Sequence, residues 1–174
     1  LTSPVEPLAS YDDQKAVPCY IRYNEKTGDV LTANYHGGFV ELYHYDKEEG
    51  AFTFVDKKVH SGSSVHVNQA SPHVHYTDFT PDEQWIVVCD LGIDTVFTYK
   101  RTEKGLEEVA QYKTKAGSGP RHLAFHPTLP IAYLICELDA TVEVLSYNQE
   151  NGTFTNLDKI ALTTEEQQAW GGAV

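Results

Sequence analysis

The sequence contains no methionine, only three cysteines, and 13 lysines and arginines against 25 aspartates and glutamates. Each shortage excludes something. A formal charge of −12 leaves no basic face for a phosphate backbone, so nucleic acid is excluded as a partner. An anionic ligand would need local cations that overcome the overall field. Cys19, Cys89 and Cys136 are too few, and odd in number, for a disulfide framework; two of them sit inside apolar runs. Buried thiols in a reducing, cytoplasmic compartment are expected instead. The most apolar stretches, residues 85–89 and 131–136, are far too short to cross a bilayer. The opening Leu1-Thr-Ser-Pro lacks the basic start and apolar stretch of a signal peptide, and without an initiator methionine the natural N-terminus is expected upstream. Helical periodicity is missing as well, except for a single turn expected within residues 164–170.

What the chain does have is a succession of short alternating segments. Residues 1–17 show no period and read as a loop. Residues 19–23, 30–35, 39–45 and 51–56 then read as four strands joined by tight turns. A second set follows at 74–79, 85–90, 95–99 and 106–113, and a third at 122–126, 131–137, 141–147 and 154–161. The sets superpose. Phe79 and Phe125, Pro81 and Pro127, Thr95 and Thr141, and Val96 and Val142 all share an offset of 46 positions. Val40-Glu-Leu-Tyr43 matches Val96-Phe-Thr-Tyr99 at an offset of 56, the extra ten residues fitting the polar loop around 61–68.

Four antiparallel strands in each repeat of this length predict an all-β fold, a β-propeller of four-stranded blades. A β-sandwich of short strands is the alternative. The units run roughly over 18–60, 71–115 and 120–162, and 163–174 read as the start of a further blade, all within one partial propeller domain spanning 1–174. Three and a half blades cannot close a ring. The chain is therefore expected to be a piece of a longer propeller, or to be completed by another chain, with the missing blades as its partners.

Two stretches share a layout that suggests a site. Ser71-Pro-His-Val-His75 and Gly117-Ser-Gly-Pro-Arg-His122 each place protonatable or cationic groups after a proline, at the mouth of an apolar run. Both are read as the innermost strand of their unit, with a polar entry turned toward a common centre. Together with Pro18-Cys-Tyr-Ile, Ala33-Asn-Tyr-His-Gly-Gly38 and Asp90-Leu-Gly-Ile-Asp94, these motifs resemble, in the same order, those of the lactonase family of seven-bladed propellers. That family includes the propeller-type 6-phosphogluconolactonases of bacteria and the fungal carboxy-muconate lactonizing enzymes. The likeness runs from about Pro18 to Val174 and implies that the chain is the middle half of a longer ring.

The resemblance implies hydrolysis of a sugar lactone, 6-phosphogluconolactone to 6-phosphogluconate in the pentose phosphate pathway. A muconate-type cycloisomerase is the alternative within the family, and a non-catalytic propeller scaffold the alternative outside it. A lactone opens when water attacks its carbonyl, which calls for a base and for a cation or donor at the developing oxyanion. Histidine suits the first role, and arginine the second and the gripping of a phosphate or carboxylate. The resemblance assigns the catalytic positions to His75, Arg121 and Glu137, each near an inner strand of consecutive blades.

Each candidate also has a plainer reading. His75 can bond a neighbouring carbonyl, Arg121 can pair with a blade-edge carboxylate, and Glu137 ends an apolar run where it must face solvent or a partner. His73, Asn34, Tyr35 and His122 are the substrate-binding candidates. Asn34 and Tyr35, closing an inner strand, read equally well as a turn amide and a packed ring. On an alternating strand His122 points away from Arg121 and packs between blades. His73 and His75 are spaced like metal ligands on one strand face, and with Glu137 they suggest a metal reading, but no cysteine or second histidine pair has ligand spacing. No metal and no cofactor are expected, and the partner is a small anionic lactone. Asp90 and Asp94 bracket a turn and are expected to hold it through backbone bonds.

Overall fold

A computed structural model describes residues 17–164. They form three four-stranded antiparallel sheets in which neighbours in sequence are neighbours in space. The first holds β1 (Tyr20–Tyr23), β2 (Asp29–Asn34), β3 (Phe39–Asp46) and β4 (Ala51–Val59). The second holds β5 (Val74–Phe79), β6 (Ile86–Asp90), β7 (Thr95–Thr102) and β8 (Gly105–Lys113), and the third β9 (Pro120–Phe125), β10 (Ile131–Cys136), β11 (Thr141–Asn148) and β12 (Thr153–Ala161). All twelve expected strands are present, with ends displaced by up to three residues. The expected helical turn and most of the expected further blade lie outside the described residues.

The sheets fan about one axis. β1 packs on β5 and β5 on β9, while at the rim β4 meets β8 and β8 meets β12. β6 of the middle sheet is buried on both faces, which accounts for its composition. Ile86 and Val88 of β6 join Leu31, Ala33, Val40 and Leu42 of the first sheet in one core. Val87 and Cys89, on the other face of the same strand, join Leu123, Ala132, Leu134 and Cys136 of the third sheet in another. A strand with no face left for water needs an unbroken apolar run. β10 buries Ala132, Leu134 and Cys136 on one face only, and Tyr133 on the other remains 39% exposed.

The offsets found in the sequence recur as backbone irregularities. The pairing of each third strand with its fourth shifts register at Leu42/Tyr43, Thr98/Tyr99 and Val144/Leu145, positions related by 56 and then 46. The innermost strands of the second and third sheets carry a second repeated irregularity. Pairing passes from Val74 to Tyr76 in β5 and from Pro120 to His122 in β9, leaving His75 and Arg121 as the extra residue of a bulge.

One turn is packed too closely for any side chain. A Cβ on Gly92 would lie 2.0 Å from the Ser71 carbonyl oxygen and 2.7 Å from the His73 amide nitrogen. Gly92→Ala must therefore move backbone, and its cost is expected to exceed the ~1–3 kcal/mol of ordinary overpacking. At Gly50 a Cβ meets nothing within 4 Å, and the residue's φ of +64° is the only obstacle. Gly50→Ala is expected to cost about 1 kcal/mol. Urea unfolding midpoints compare the two; equal losses would show that the 71–73 segment is not clamped against this turn.

Candidate active site

His75 and Arg121 reach the axis because of the bulges. An extra residue in one strand re-aims its side chain out of the regular alternation, and here the same bulge recurs in adjacent sheets. Arg121 Nε donates to His75 Nε2 at 3.1 Å, and Arg121 Nη1 lies 3.0 Å from Glu137 Oε2. Glu137 follows β10, whose neighbour in the sheet is β9, and its amide donates to the Gly119 carbonyl at 2.8 Å. It thus belongs to the same sheet as Arg121, beside an inner strand and not in a further blade.

These three groups line one open groove of about 500 Å³. Tyr35 and His36 on the turn after β2, and residues 17–19 before β1, complete its walls. A larger depression of about 640 Å³ lies at the other end of the inner strands, where Arg22 pairs with Asp78 at 2.8 Å and Lys26 with Glu83 at 2.8 Å. There the charges answer one another. The groove at Arg121 is the chemically better candidate because the guanidinium, with five N–H donors, has just two of them committed among the described residues.

The hydrogen bonding fixes the histidine's tautomer. Arginine has no acceptor, so His75 Nε2 must accept, and the ring proton sits on Nδ1. That nitrogen is buried with no hydrogen-bond partner. Burial first, then the neighbouring Arg121 and His122, push the His75 pKa down to about 4. His75 is therefore a neutral acceptor that steadies Arg121, and its basic nitrogen is already occupied.

Both motif loops are tied down by carboxylates. Asp94, at a left-handed φ of 53°, accepts from the amides of Gly117 at 2.8 Å and Gly119 at 2.7 Å, just before Pro120 and Arg121. It also takes bonds from Ser64 Oγ and from Gln69 Nε2. Asp90 accepts from the amides of His73 at 2.7 Å and Gly92 at 3.0 Å, and its other oxygen meets the buried His60 ring at 2.7 Å. Asp90 makes the expected bond within the turn, to the Gly92 amide, whereas the backbone amides that Asp94 binds, those of Gly117 and Gly119, belong to another loop.

The remaining candidates divide. Tyr35 lines the groove. His73 stands behind it, its ring stacked on Tyr35 at 4.3 Å and its Nδ1 3.1 Å from the Tyr35 carbonyl oxygen. Asn34 is not brought to the groove. It is 1% exposed and donates to Thr32 Oγ1 and Glu41 Oε2, both at 3.3 Å, within the first sheet. Nor does it close an innermost strand, since β1 lies nearer the axis than β2. His122, the paired residue after the bulge, packs against Tyr20, His75 and Tyr76 at ring separations of 5.9, 4.9 and 5.7 Å and stays out of the groove wall. Among the described residues no three His, Cys, Asp or Glu side chains gather as metal ligands.

The family described as "Lactonase, 7-bladed beta-propeller" matches residues 2–174. The chain belongs to this family. Among its relatives in the lactonase family are an uncharacterized protein of Lactococcus lactis subsp. cremoris, 43% identical over 155 residues (88% of this chain, 45% of the relative), and the 6-phosphogluconolactonase of Bacillus subtilis, 36% identical over 149 residues (86% and 43%). The solved structure of the periplasmic gluconolactonase of Pseudomonas aeruginosa superposes with a TM-score of 0.78 at 32% identity, covering 85% of this chain and 43% of that one. The chain thus spans less than half the length of the curated relatives it matches.

Two groove residues of this lactonase propeller escaped the sequence reading. Cys19, grouped there with buried thiols, is exposed, with its Sγ 3.5 Å from the Ala33 carbonyl oxygen and 3.6 Å from that of Val74. The signal was available: it stands 56 positions before His75, as His75 stands 46 before Arg121. His36, on the turn after β2, lies in the Ala33-Asn-Tyr-His-Gly-Gly38 motif but was not singled out as a site residue. Gly38, at φ +63°, lets that turn approach Pro72, whose carbonyl oxygen would lie 3.0 Å from an added Cβ.

The His75 shift has a consequence for stability. Its folded pKa of about 4 lies below the ordinary histidine value of 6.5, so between those values the unfolded chain binds a proton that the folded one does not. The contribution is complete above pH 6.5 and is lost as pH falls toward 4. Urea midpoints measured from pH 7 to pH 4 are expected to fall less steeply for His75→Gln than for the unsubstituted protein; identical slopes would refute the assignment.

Proposed function

We propose that this site hydrolyses a lactone, with a sugar lactone carrying a phosphate, 6-phosphogluconolactone, as the substrate. The observation that carries this reading is the Arg121 guanidinium held between His75 and Glu137 in one open groove. The printed names of the Bacillus and Pseudomonas relatives support it. Glu137 is the base that takes a proton from water as the water oxygen bonds to the lactone carbonyl carbon. Arg121 holds the charge that develops on the carbonyl oxygen, and its position is set by His75. Because the whole chain is acidic, binding an anion depends on this local cation.

The blades that close the ring supply the rest of the cavity in this proposal, and small anionic lactones are its ligands. No helix among the described residues is long and apolar enough to cross a membrane. A cytoplasmic site of action is part of the proposal, supported by three unpaired thiols.

Decay of 6-phosphogluconolactone, followed by acid release in the presence of the intact protein, tests the reading. The unsubstituted protein is expected to exceed the uncatalysed rate. Arg121→Ala is expected to lower kcat/KM by about 10²–10³-fold while leaving a rate above the uncatalysed one, and Glu137→Gln to lower kcat by about 10²–10⁴-fold. A protein that does not exceed the uncatalysed rate ends the hydrolase proposal.

A further inference from the structure

The repeat places Tyr35, Leu91 and Glu137 at equivalent positions, 56 and then 46 residues apart. Leu91 is 1% exposed and does not reach the groove, whereas Tyr35 and Glu137 both line it. They stand in different sheets, Tyr35 on the turn after β2 and Glu137 after β10 beside Arg121. Among the described residues that line the groove, Tyr35 carries the one hydroxyl group.

The Tyr35 ring is held on several sides. It lies nearly parallel to His73, at 10° and 4.3 Å, and meets His36 and His75 close to edge-on at 5.2 and 5.7 Å. The His73 contact to its carbonyl oxygen fixes the backbone beneath it. Tyr35 shares the groove with Glu137 and Arg121, whose charges act on its phenol. Burial, followed by the charge of Glu137, raises its pKa, so the hydroxyl keeps its proton at neutral pH and serves as a donor.

We propose that Tyr35 donates a hydrogen bond to the ring oxygen of the bound lactone as that oxygen leaves. The proposal rests on the lactone-hydrolase reading. Water activation and carbonyl binding are assigned to Glu137 and Arg121 of the third sheet. In this proposal the lactone lies with its carbonyl oxygen at Arg121 and its ring oxygen within reach of both Glu137 and Tyr35, all three of which line the groove. When the tetrahedral adduct collapses, the bond from the carbonyl carbon to the ring oxygen breaks and its electron pair stays on that oxygen. Glu137 returns there the proton it took from water. Tyr35 keeps its own proton, and its hydrogen bond bears the charge in the interval. Lactone and water give the hydroxy acid with nothing left over.

Tyr35→Phe keeps the stacked ring and removes the donor. With 6-phosphogluconolactone, kcat is expected to fall by about 10–100-fold, with KM and the affinity for 6-phosphogluconate unchanged within about twofold. On dihydrocoumarin, whose leaving oxygen is a phenolate needing little assistance, the loss is expected to stay under about threefold. An unchanged kcat, a matching loss of kcat and product affinity, or equal losses on both lactones would each overturn the role of Tyr35. Failure of the unsubstituted protein to hydrolyse 6-phosphogluconolactone would instead remove the hydrolase reading itself.

Discussion

The site depends on one carboxylate that takes no part in its chemistry. Asp94 is 4% exposed and in a left-handed conformation that side chains other than glycine, asparagine and aspartate seldom adopt. Its oxygens collect the amides of Gly117 and Gly119, the Gln69 amide and the Ser64 hydroxyl. A buried carboxylate is costly unless its lone pairs are satisfied, and this one, on the turn between β6 and β7, is satisfied by donors from two other segments. The loop between the first two sheets, the turn between β6 and β7, and the entry to β9 are thereby locked together. Arg121 is two residues beyond the last of these bonds, so its starting point is set before any contact with His75 or Glu137.

Within the groove the electrostatics follow from who can donate. Arg121 offers only donors, so the two groups that meet it must accept. His75 does so as a neutral ring, kept neutral by burial and by the arginine itself. Glu137 does so through Oε2. The result is a cation anchored on two sides in an acidic protein, and this anchoring is what an anionic or carbonyl ligand would exploit.

The fold was legible because its information is periodic. Strand alternation and two fixed offsets gave twelve strands and their grouping into three sheets, and the same offsets reappear as register shifts in the backbone. His75, Arg121 and Glu137 were singled out, and the structure brings them into contact. The bulges that aim the first two were not visible, since a bulge adds one residue without changing the composition of the strand. Asn34 was misplaced for a related reason. Its motif ends at the groove, but a side chain one position earlier on a strand turns the other way, and here Glu41 and Thr32 take up its amide. Gln69, just beyond the polar loop read at 61–68, was not singled out, although His66 and Gln69 form a capping box at the start of a short 3₁₀ helix and the Gln69 side chain is fully buried. Polar composition alone does not distinguish a solvated loop from a buried clamp.

The central claim is that His75 and Arg121 act as one unit, the histidine working through the guanidinium it holds. A double-mutant cycle on kcat/KM for lactone hydrolysis tests this most directly. His75→Ala is expected to lower kcat/KM by about tenfold in the unsubstituted protein and to have no further effect once Arg121 is alanine. Losses that multiply, with His75→Ala costing the same in both backgrounds, would contradict the account.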